Sequence, residues 1–252
     1  MKSTWFGAPA RYEFAKCINS ADYGIQGYDL FRKFLICAHA TIQQSANKLS
    51  GTFDDEIESA YAREMNSLKY PTKFPEAFGL LVMALEEEAY DFLGYTFMEL
   101  GVANKFAGQC FTPRDVSKAM AGMLLNDLQP IDGQTLTLAE PACGGGSMVI
   151  EASNILKDLG FYPWHYHWWA TDVDWKCYAM TLIQTTLLGI PAVVTCGNSL
   201  TLEVFTKSAN LISLIHPPKK KETHNDANQQ RTKKESPQDE THQPRTQLNL
   251  FS

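Results

Sequence analysis

Three short segments of the sequence carry residues suited to binding a nucleotide-like ligand. The first is the glycine-rich run EPACGGG at 140–146, which stands between a β-forming segment and a segment with helical spacing. Bare glycine backbone and the free N–H groups at the start of a helix can approach such a ligand closely. The second is Asp172, whose carboxylate can accept both hydroxyls of a ribose. The third is Asn198, whose side-chain amide can pair with an adenine edge.

Each of these segments also has a purely structural interpretation. The glycine run could be only a tight turn from strand to helix, and Asn198 could only stabilise a turn. Asp172 could cap the following helix, although Asp174 is an alternative cap. The three segments occur in order at the spacing of alternating strands and helices, and together they favour an adenosine-containing ligand.

The elements that would position these residues follow from the apolar pattern. Four β-forming runs are predicted, the first just before residue 140 and the others at 167–171, 192–196 and 211–215, with helices at about 148–159 and 175–188 between the first three. This alternation predicts a doubly wound, mostly parallel α/β sheet, in which ligands bind at the carboxyl ends of the strands. Residues 5 to about 105 have helical spacing. We therefore predict a helical N-terminal domain at 1–105 and an α/β domain at 106–218.

Composition excludes several classes of protein. The 252 residues include 22 basic and 28 acidic side chains, so no broad positive field attracts nucleic acid, and contacts with phosphates must be local or come from a partner. The six cysteines form no CxxC pair, which indicates reduced thiols. His165 and His167 have no Cys or carboxylate at ligand spacing, and we predict aromatic packing there and no metal site. With no signal-like or membrane-length apolar run, we expect a soluble cytoplasmic protein that contacts no membrane.

The composition changes abruptly after residue 218. Between 219 and 246 the one hydrophobic side chain is Ala227, so this stretch cannot bury enough apolar surface to offset its chain entropy. We predict a disordered tail at 219–252. Its last residues, QLNLF at 247–251, are apolar again.

Four segments resemble, in order, the motifs of adenine-specific DNA methyltransferases. They are FTP at 111–113, EPACGGG at 140–146, TDVD at 171–174 and GNSL at 197–200. The resemblance is closest to the modification subunits of type I restriction systems, which have a helical N-terminal domain and a GQFYTP-like segment before a DPACGSG-like loop. It implies a Rossmann-like domain that binds S-adenosylmethionine, here with its sheet truncated after the fourth strand.

The resemblance also implies a role for each matching position. Asp172 would hold the ribose and Asn198 would face the adenine. Two groups of residues would contact the methionine end of S-adenosylmethionine. The first group flanks it and consists of Phe111, Thr112 and Pro113. The second group wraps around it and consists of Glu140, Pro141, Ala142, Cys143, Gly144 and Gly146. Glu140 and Gly145 stand where the family usually has Asp and Ser.

The catalytic motif of the family is Asn-Pro-Pro followed by Tyr or Phe, at the end of the fourth strand. Its Asn side chain and a prolyl carbonyl accept the hydrogens of the adenine amine, and its aromatic ring stacks on the base. The matching positions here are His216, Pro217 and Pro218, followed by Lys219. The resemblance implies that His216–Pro218 form a degenerate version of this base-holding motif.

Two functions follow as hypotheses. In the first, the protein is an enzyme of DNA methylation that binds DNA and transfers a methyl group from S-adenosylmethionine to adenine N6, in a restriction-modification system with a specificity or second modification subunit. In the second, it is a catalytically impaired accessory subunit that keeps its ligand and is tethered to DNA or the sliding clamp. The terminal pentapeptide resembles the clamp-binding peptides of bacterial replication and repair proteins, with Gln247, Leu248, Leu250 and Phe251 as the docking residues. A dinucleotide-dependent dehydrogenase is a distant third.

Overall fold

The structure is a computed structural model that describes residues 8–101, 112–131 and 133–218. Within these residues, nine helices and four strands follow one another along the chain. The helices are α1 Ala8–Asn19, α2 Gly27–Leu49, α3 Asp55–Asn66, α4 Lys73–Glu87, α5 Phe92–Gly101, α6 Arg114–Leu125, α7 Ser147–Asp158, α8 Trp175–Leu187 and α9 Leu211–Ile215. The strands are β1 Leu136–Glu140, β2 Tyr166–Asp172, β3 Ala192–Asn198 and β4 Glu203–Ala209.

The first five helices pack around an aromatic core. Phe14 of α1 meets Phe34 of α2 and Phe92 of α5 edge to face, with ring centroids 5.1 and 5.2 Å apart. All three side chains are buried, and such pairs add to the stability that burial of apolar surface provides.

The sheet has the strand order β1-β2-β3-β4. Strands β1, β2 and β3 are parallel, and β4 runs antiparallel to β3. Helix α7 connects β1 to β2, and α8 connects β2 to β3. The predicted fold class, a mostly parallel α/β sheet behind a helical N-terminal segment, is confirmed.

Alternate residues of β2 point to opposite faces of the sheet, as its extended backbone requires. Trp168 is buried in the core with α7 and α8, and its indole N–H donates to Ser153 of α7 at 3.0 Å. On the opposite face, His167 hydrogen bonds to Ser213 of α9 at 2.7 Å, and Trp169 is 38% exposed beneath the ammonium of Lys207.

The predicted fourth strand at 211–215 is wrong, because these residues form the short helix α9. The side chain of Asn210 caps this helix, with its Oδ1 accepting from the backbone N–H of Ser213 at 2.9 Å. The fourth strand is β4, which returns beside β3 through a hairpin. A short apolar run has no periodicity that separates a strand from a buried helix, and the capping side chain decides the outcome here.

The described residues all belong to one compact unit, and residues 219–252 lie outside them. Within this unit, the helical segment contacts α8 directly. The backbone N–H of Leu93 donates to Gln184, and the ring of His39 lies 3.3 Å from the hydroxyl of Tyr178. The predicted domain boundary at 105 falls in 102–111, outside the described residues, and stays a prediction.

Candidate cofactor site

The glycine run forms a turn at the carboxyl end of β1. Glu140 accepts a hydrogen bond from the backbone N–H of Ala142 at 3.1 Å, and Cys143 donates its own N–H to the carbonyl of Thr171 on β2 at 2.9 Å. Gly144 and Gly146 have φ angles of 55° and 103°, in the region that favours glycine. The turn therefore crosses towards β2, and α7 begins immediately after it.

Asp172 lies at the end of β2 and joins this turn. One carboxylate oxygen accepts the N–H of Gly144 at 2.9 Å, and the other accepts the N–H of Asp174 at 2.9 Å. Asp174 caps α8 by accepting the N–H of Lys176 at 2.8 Å. The structure thus assigns the helix cap to Asp174 and leaves Asp172 beside the glycine turn, half-buried at the edge where ligands bind.

Two buried side chains of α8 support the turn from below. Thr181 donates to the carbonyl of Gly144 at 3.0 Å, and Gln184 donates to the carbonyl of Gly145 at 2.7 Å. Neither residue was identified from the sequence. The available signal was the spacing of the two polar residues, three positions apart in α8, which places them on the same face of the helix.

Cys143 contributes backbone to the turn and no reactive thiol. Its side chain is buried, and this burial raises the pKa of the thiol to about 12. The thiol therefore stays protonated at neutral pH. The five cysteines in the described part of the chain are all free.

Thr112 and Pro113 lie at the start of α6, next to the start of α7. The carbonyl of Thr112 is 3.5 Å from the hydroxyl of Ser147, the residue that follows the glycine turn. Arg114 holds the start of α6 in place, because its backbone N–H donates to the hydroxyl of Tyr95 at 2.7 Å. Its guanidinium also bridges the carboxylates of Glu88 and Glu151. Phe111, the remaining residue of this predicted group, lies outside the described residues.

Asn198 ends β3 at the same edge of the sheet. Its side-chain oxygen accepts the backbone N–H groups of Leu200 at 2.9 Å and Thr201 at 3.2 Å, so it stabilises the following turn. The structure thus confirms the turn interpretation of Asn198. Its contact with an adenine edge stays a prediction.

The structure does not bring His216, Pro217 and Pro218 to the glycine turn. The ring of His216 lies 5.7 Å from that of Trp164, which precedes β2, and Ser213 contacts the second residue of β2. Because β4 runs antiparallel, it returns the chain to the amino ends of the parallel strands. The length of β2, about 20 Å at about 3.3 Å per residue, separates these ends from Asp172. His216, Pro217 and Pro218 therefore lie towards the amino ends of the parallel strands, and their role as the base-holding motif stays a prediction.

His165 and His167 both have partners of other kinds. His165 accepts the backbone N–H of Tyr162 at 3.1 Å and packs against Phe161, with ring centroids 6.1 Å apart. Across residues 8–101, 112–131 and 133–218, no group of three or more His, Cys, Asp or Glu side chains could hold a metal ion. In the same residues, no helix has the length and apolar character needed to cross a membrane. The clamp-type residues Gln247, Leu248, Leu250 and Phe251 lie outside the described residues.

Fold and turn geometry together define an α/β protein with a mostly parallel sheet, and comparison of the sequence with known families narrows the class of protein. Residues 87–250 match the family described as N-6 DNA Methylase. The chain belongs to this family of DNA methyltransferases. The predicted resemblance to adenine-specific DNA methyltransferases is thereby confirmed.

Three solved structures are similar to this chain, with low sequence identity. A modification subunit of a candidate type I restriction enzyme from Vibrio vulnificus YJ016 is 19% identical, with a TM-score of 0.39 over 56% of this chain and 28% of that one. A candidate class I S-adenosylmethionine-dependent methyltransferase from Listeria monocytogenes is 13% identical, with a TM-score of 0.43 over 74% and 52%. The type I restriction-modification methyltransferase subunit from Streptococcus thermophilus is 13% identical, with a TM-score of 0.36 over 73% and 56%.

The chain thus spans between 28% and 56% of the length of these three proteins. A comparison with curated proteins finds no match.

Proposed function

We propose that this chain is the S-adenosylmethionine-binding component of a DNA adenine-N6 methyltransferase of the restriction-modification type. The observation that carries the proposal is the bond between the Asp172 carboxylate and the N–H of Gly144, which joins the ends of two neighbouring parallel strands. A carboxylate has about four acceptor positions, so Asp172 can hold its two backbone N–H groups and still accept ribose hydroxyls.

The charges at this end of the sheet suit a cationic ligand. Glu140, Asp172 and Asp174 lie at the ends of β1 and β2, and of the three only Asp174 pairs with a described basic side chain, that of Lys176 at 2.8 Å. S-adenosylmethionine has a positively charged sulfonium and ammonium group, and it supplies an activated methyl group when bound. Opposite charge at short range favours such a ligand, so the acidic edge supports this cofactor.

The residues that would hold the cofactor divide by chemistry. Backbone of the glycine turn can approach the ligand at the half-buried Gly144, where no side chain intervenes, and Asp172 would bind the ribose. Thr112 and Pro113 would flank the methionine end, together with Phe111. Asn198 would face the adenine with its amide nitrogen, since its oxygen already serves the turn.

Besides the cofactor site, methylation requires a group of residues that holds the target base. Methylation of the adenine amine adds a methyl group and releases a proton, so the flipped base must face the cofactor closely. His216, Pro217 and Pro218 lie at the other end of the sheet, and the same acidic edge that suits the cofactor repels phosphate. Both observations favour a partner subunit that binds DNA and presents the base, which is the accessory form of the hypothesis.

Calorimetric titration of the purified chain with S-adenosylmethionine tests the proposal, followed by transfer of a tritiated methyl group to unmethylated DNA. We expect binding without transfer by the chain alone. Binding with transfer would make the chain a self-contained enzyme and contradict the need for a partner. Absence of binding would overturn the proposal, and a parallel titration with NAD would then test the dehydrogenase alternative.

A further inference from the structure

A buried carboxylate lies directly beneath the glycine turn. Asp91 precedes α5 and is 2% exposed. Its Oδ1 accepts the N–H of Gly94 at 2.8 Å, as a helix cap does, and also the side-chain N–H of Gln184 at 2.9 Å. Among the described residues, its Oδ2 has no hydrogen-bond partner. Burial without a partner costs free energy, so a role limited to capping does not account for this position.

The Asp91 carboxylate fills the space where a side chain of residue 145 would begin. A Cβ atom placed on Gly145 would lie 2.5 Å from Oδ2 and 2.6 Å from Oδ1 of Asp91. Unlike Gly144 and Gly146, Gly145 does not have a positive φ angle. Its neighbours are glycine because of backbone conformation, whereas Gly145 is glycine because Asp91 packs against its Cα.

Gln184 connects this carboxylate to the turn. Its amide donates one hydrogen bond to Asp91 and another to the carbonyl of Gly145, at 2.7 Å. Its oxygen accepts the N–H of Leu93, in the first turn of α5, at 3.0 Å. One buried amide therefore joins α5, the carboxylate and the middle residue of the turn, with every hydrogen-bonding group of the amide in use.

We infer that Asp91 is a positioning residue for the cofactor turn, which it holds against the start of α5 through Gln184 and through direct packing on Gly145. The inference rests on the proposed function, because it assigns this turn to S-adenosylmethionine. It extends the site into the helical segment. Through Tyr95, the same helix α5 also anchors Arg114, next to Thr112 and Pro113, so one helix sets both walls of the site.

A comparison of two helix caps tests this role. Asp54 caps α3 by accepting the N–H groups of Glu56 and Ile57, and α3 belongs to the helical segment. Asp91→Ala and Asp54→Ala each remove a capping carboxylate. We expect only Asp91→Ala to speed hydrogen exchange of the backbone amides at 143–147 in the protein without ligand, by about tenfold or more. We expect S-adenosylmethionine affinity to fall by about tenfold in the same variant alone.

A double-mutant cycle separates positioning from a loss of stability. Gly145→Ala places a Cβ against the Asp91 carboxylate, and Asp91→Ala removes that carboxylate. We therefore expect the exchange rate of the turn in the double variant to be closer to that of Asp91→Ala than additivity predicts. The pair Asp54→Ala and Gly145→Ala should be additive, because these two residues share no contact.

Additive effects in the first pair, or parental exchange at 143–147 in Asp91→Ala, would overturn the inference. If the parent protein fails to bind S-adenosylmethionine, the proposed function fails, while the exchange measurements still decide whether Asp91 positions the turn. If Asp91→Ala does not fold, Asp91→Ser shortens the side chain but retains an oxygen that can cap α5, and the same cycle can be measured with it.

Discussion

Replacement of Asp172 by Asn is the most direct perturbation of the proposed cofactor site. The side chain keeps its shape, but the carboxylate becomes an amide with one acceptor oxygen and one NH2 group. In the parent structure the two carboxylate oxygens accept the N–H groups of Gly144 and Asp174, both at 2.9 Å. Whichever way the amide is turned, one of these N–H groups then faces a donor, and the ribose loses its charged acceptor.

The magnitude follows from the type of hydrogen bond that is lost. A hydrogen bond to a charged group contributes about 1.5–3 kcal/mol. Since about 1.4 kcal/mol corresponds to a tenfold change in affinity, we expect Asp172→Asn to weaken S-adenosylmethionine binding by about 10- to 150-fold. Asp172 is half-buried at a sheet edge, which favours the lower part of this range.

Calorimetric titration measures this effect, with Asp174→Asn as the matched control. That variant removes the same charge two residues away, at the start of α8. Its amide oxygen can keep the helix cap, so the variant should lose mainly the ion pair with Lys176. Urea unfolding of both variants establishes that the protein is folded at the titration temperature. An affinity of Asp172→Asn equal to that of the parent, or a larger loss in Asp174→Asn, would refute the assignment of Asp172 to the ribose.

Two further predictions concern histidines outside the cofactor site. Burial lowers the pKa of His39 to about 4, so the folded protein favours the neutral ring. The contribution of the neutral ring to the free energy of unfolding is therefore present above pH 6.5 and is lost as pH falls towards 4. Between pH 7.5 and 5 this loss amounts to about 2 kcal/mol, and we expect urea unfolding to show that the His39→Gln variant lacks it. An unchanged pH dependence would contradict a neutral buried His39. His216→Ala should leave S-adenosylmethionine affinity within about twofold of the parent and leave unchanged any methyl transfer that the parent shows; a selective loss of transfer in the tritium assay would place His216 in the reaction.

The parts of the site that could be predicted from the sequence depend on local signals. A β-forming run, a glycine turn and a helical run specify their own conformations, and Asp172 follows the next β-forming run. The rule that parallel strands present their carboxyl ends at one edge then brings these two segments together without knowledge of any long-range contact. For Asp172 and Gly144 this reasoning gave the correct neighbourhood, and the structure adds a direct hydrogen bond between them that the sequence did not predict.

Asp91 and Gln184 could not be predicted in this way, because their roles exist only after α5 and α8 have packed. Asp91 is separated from Gln184 by 93 positions in the chain. In sequence, Asp91 is an ordinary cap before a helix, and Gln184 is one of several polar residues in α8. Their importance comes from burial and from the absence of a side chain at Gly145, neither of which is a local property.

The error at the fourth strand has a larger consequence than a wrong element assignment. Strand β4 exposes most of its residues, so its sequence lacks the apolar run that identified the other strands, and the apolar run that follows is the capped helix α9. An antiparallel β4 reverses the chain, and His216 consequently lies at the amino ends of β2 and β3 instead of their carboxyl ends.

A base held there would be about 20 Å from a methyl group bound at the glycine turn, whereas transfer requires the reacting atoms to be within about 3.5 Å. If this family member takes part in adenine methylation with the described geometry, its base-holding groups must therefore come from outside residues 216–218. A partner subunit docked on the carboxyl end of the sheet satisfies this requirement.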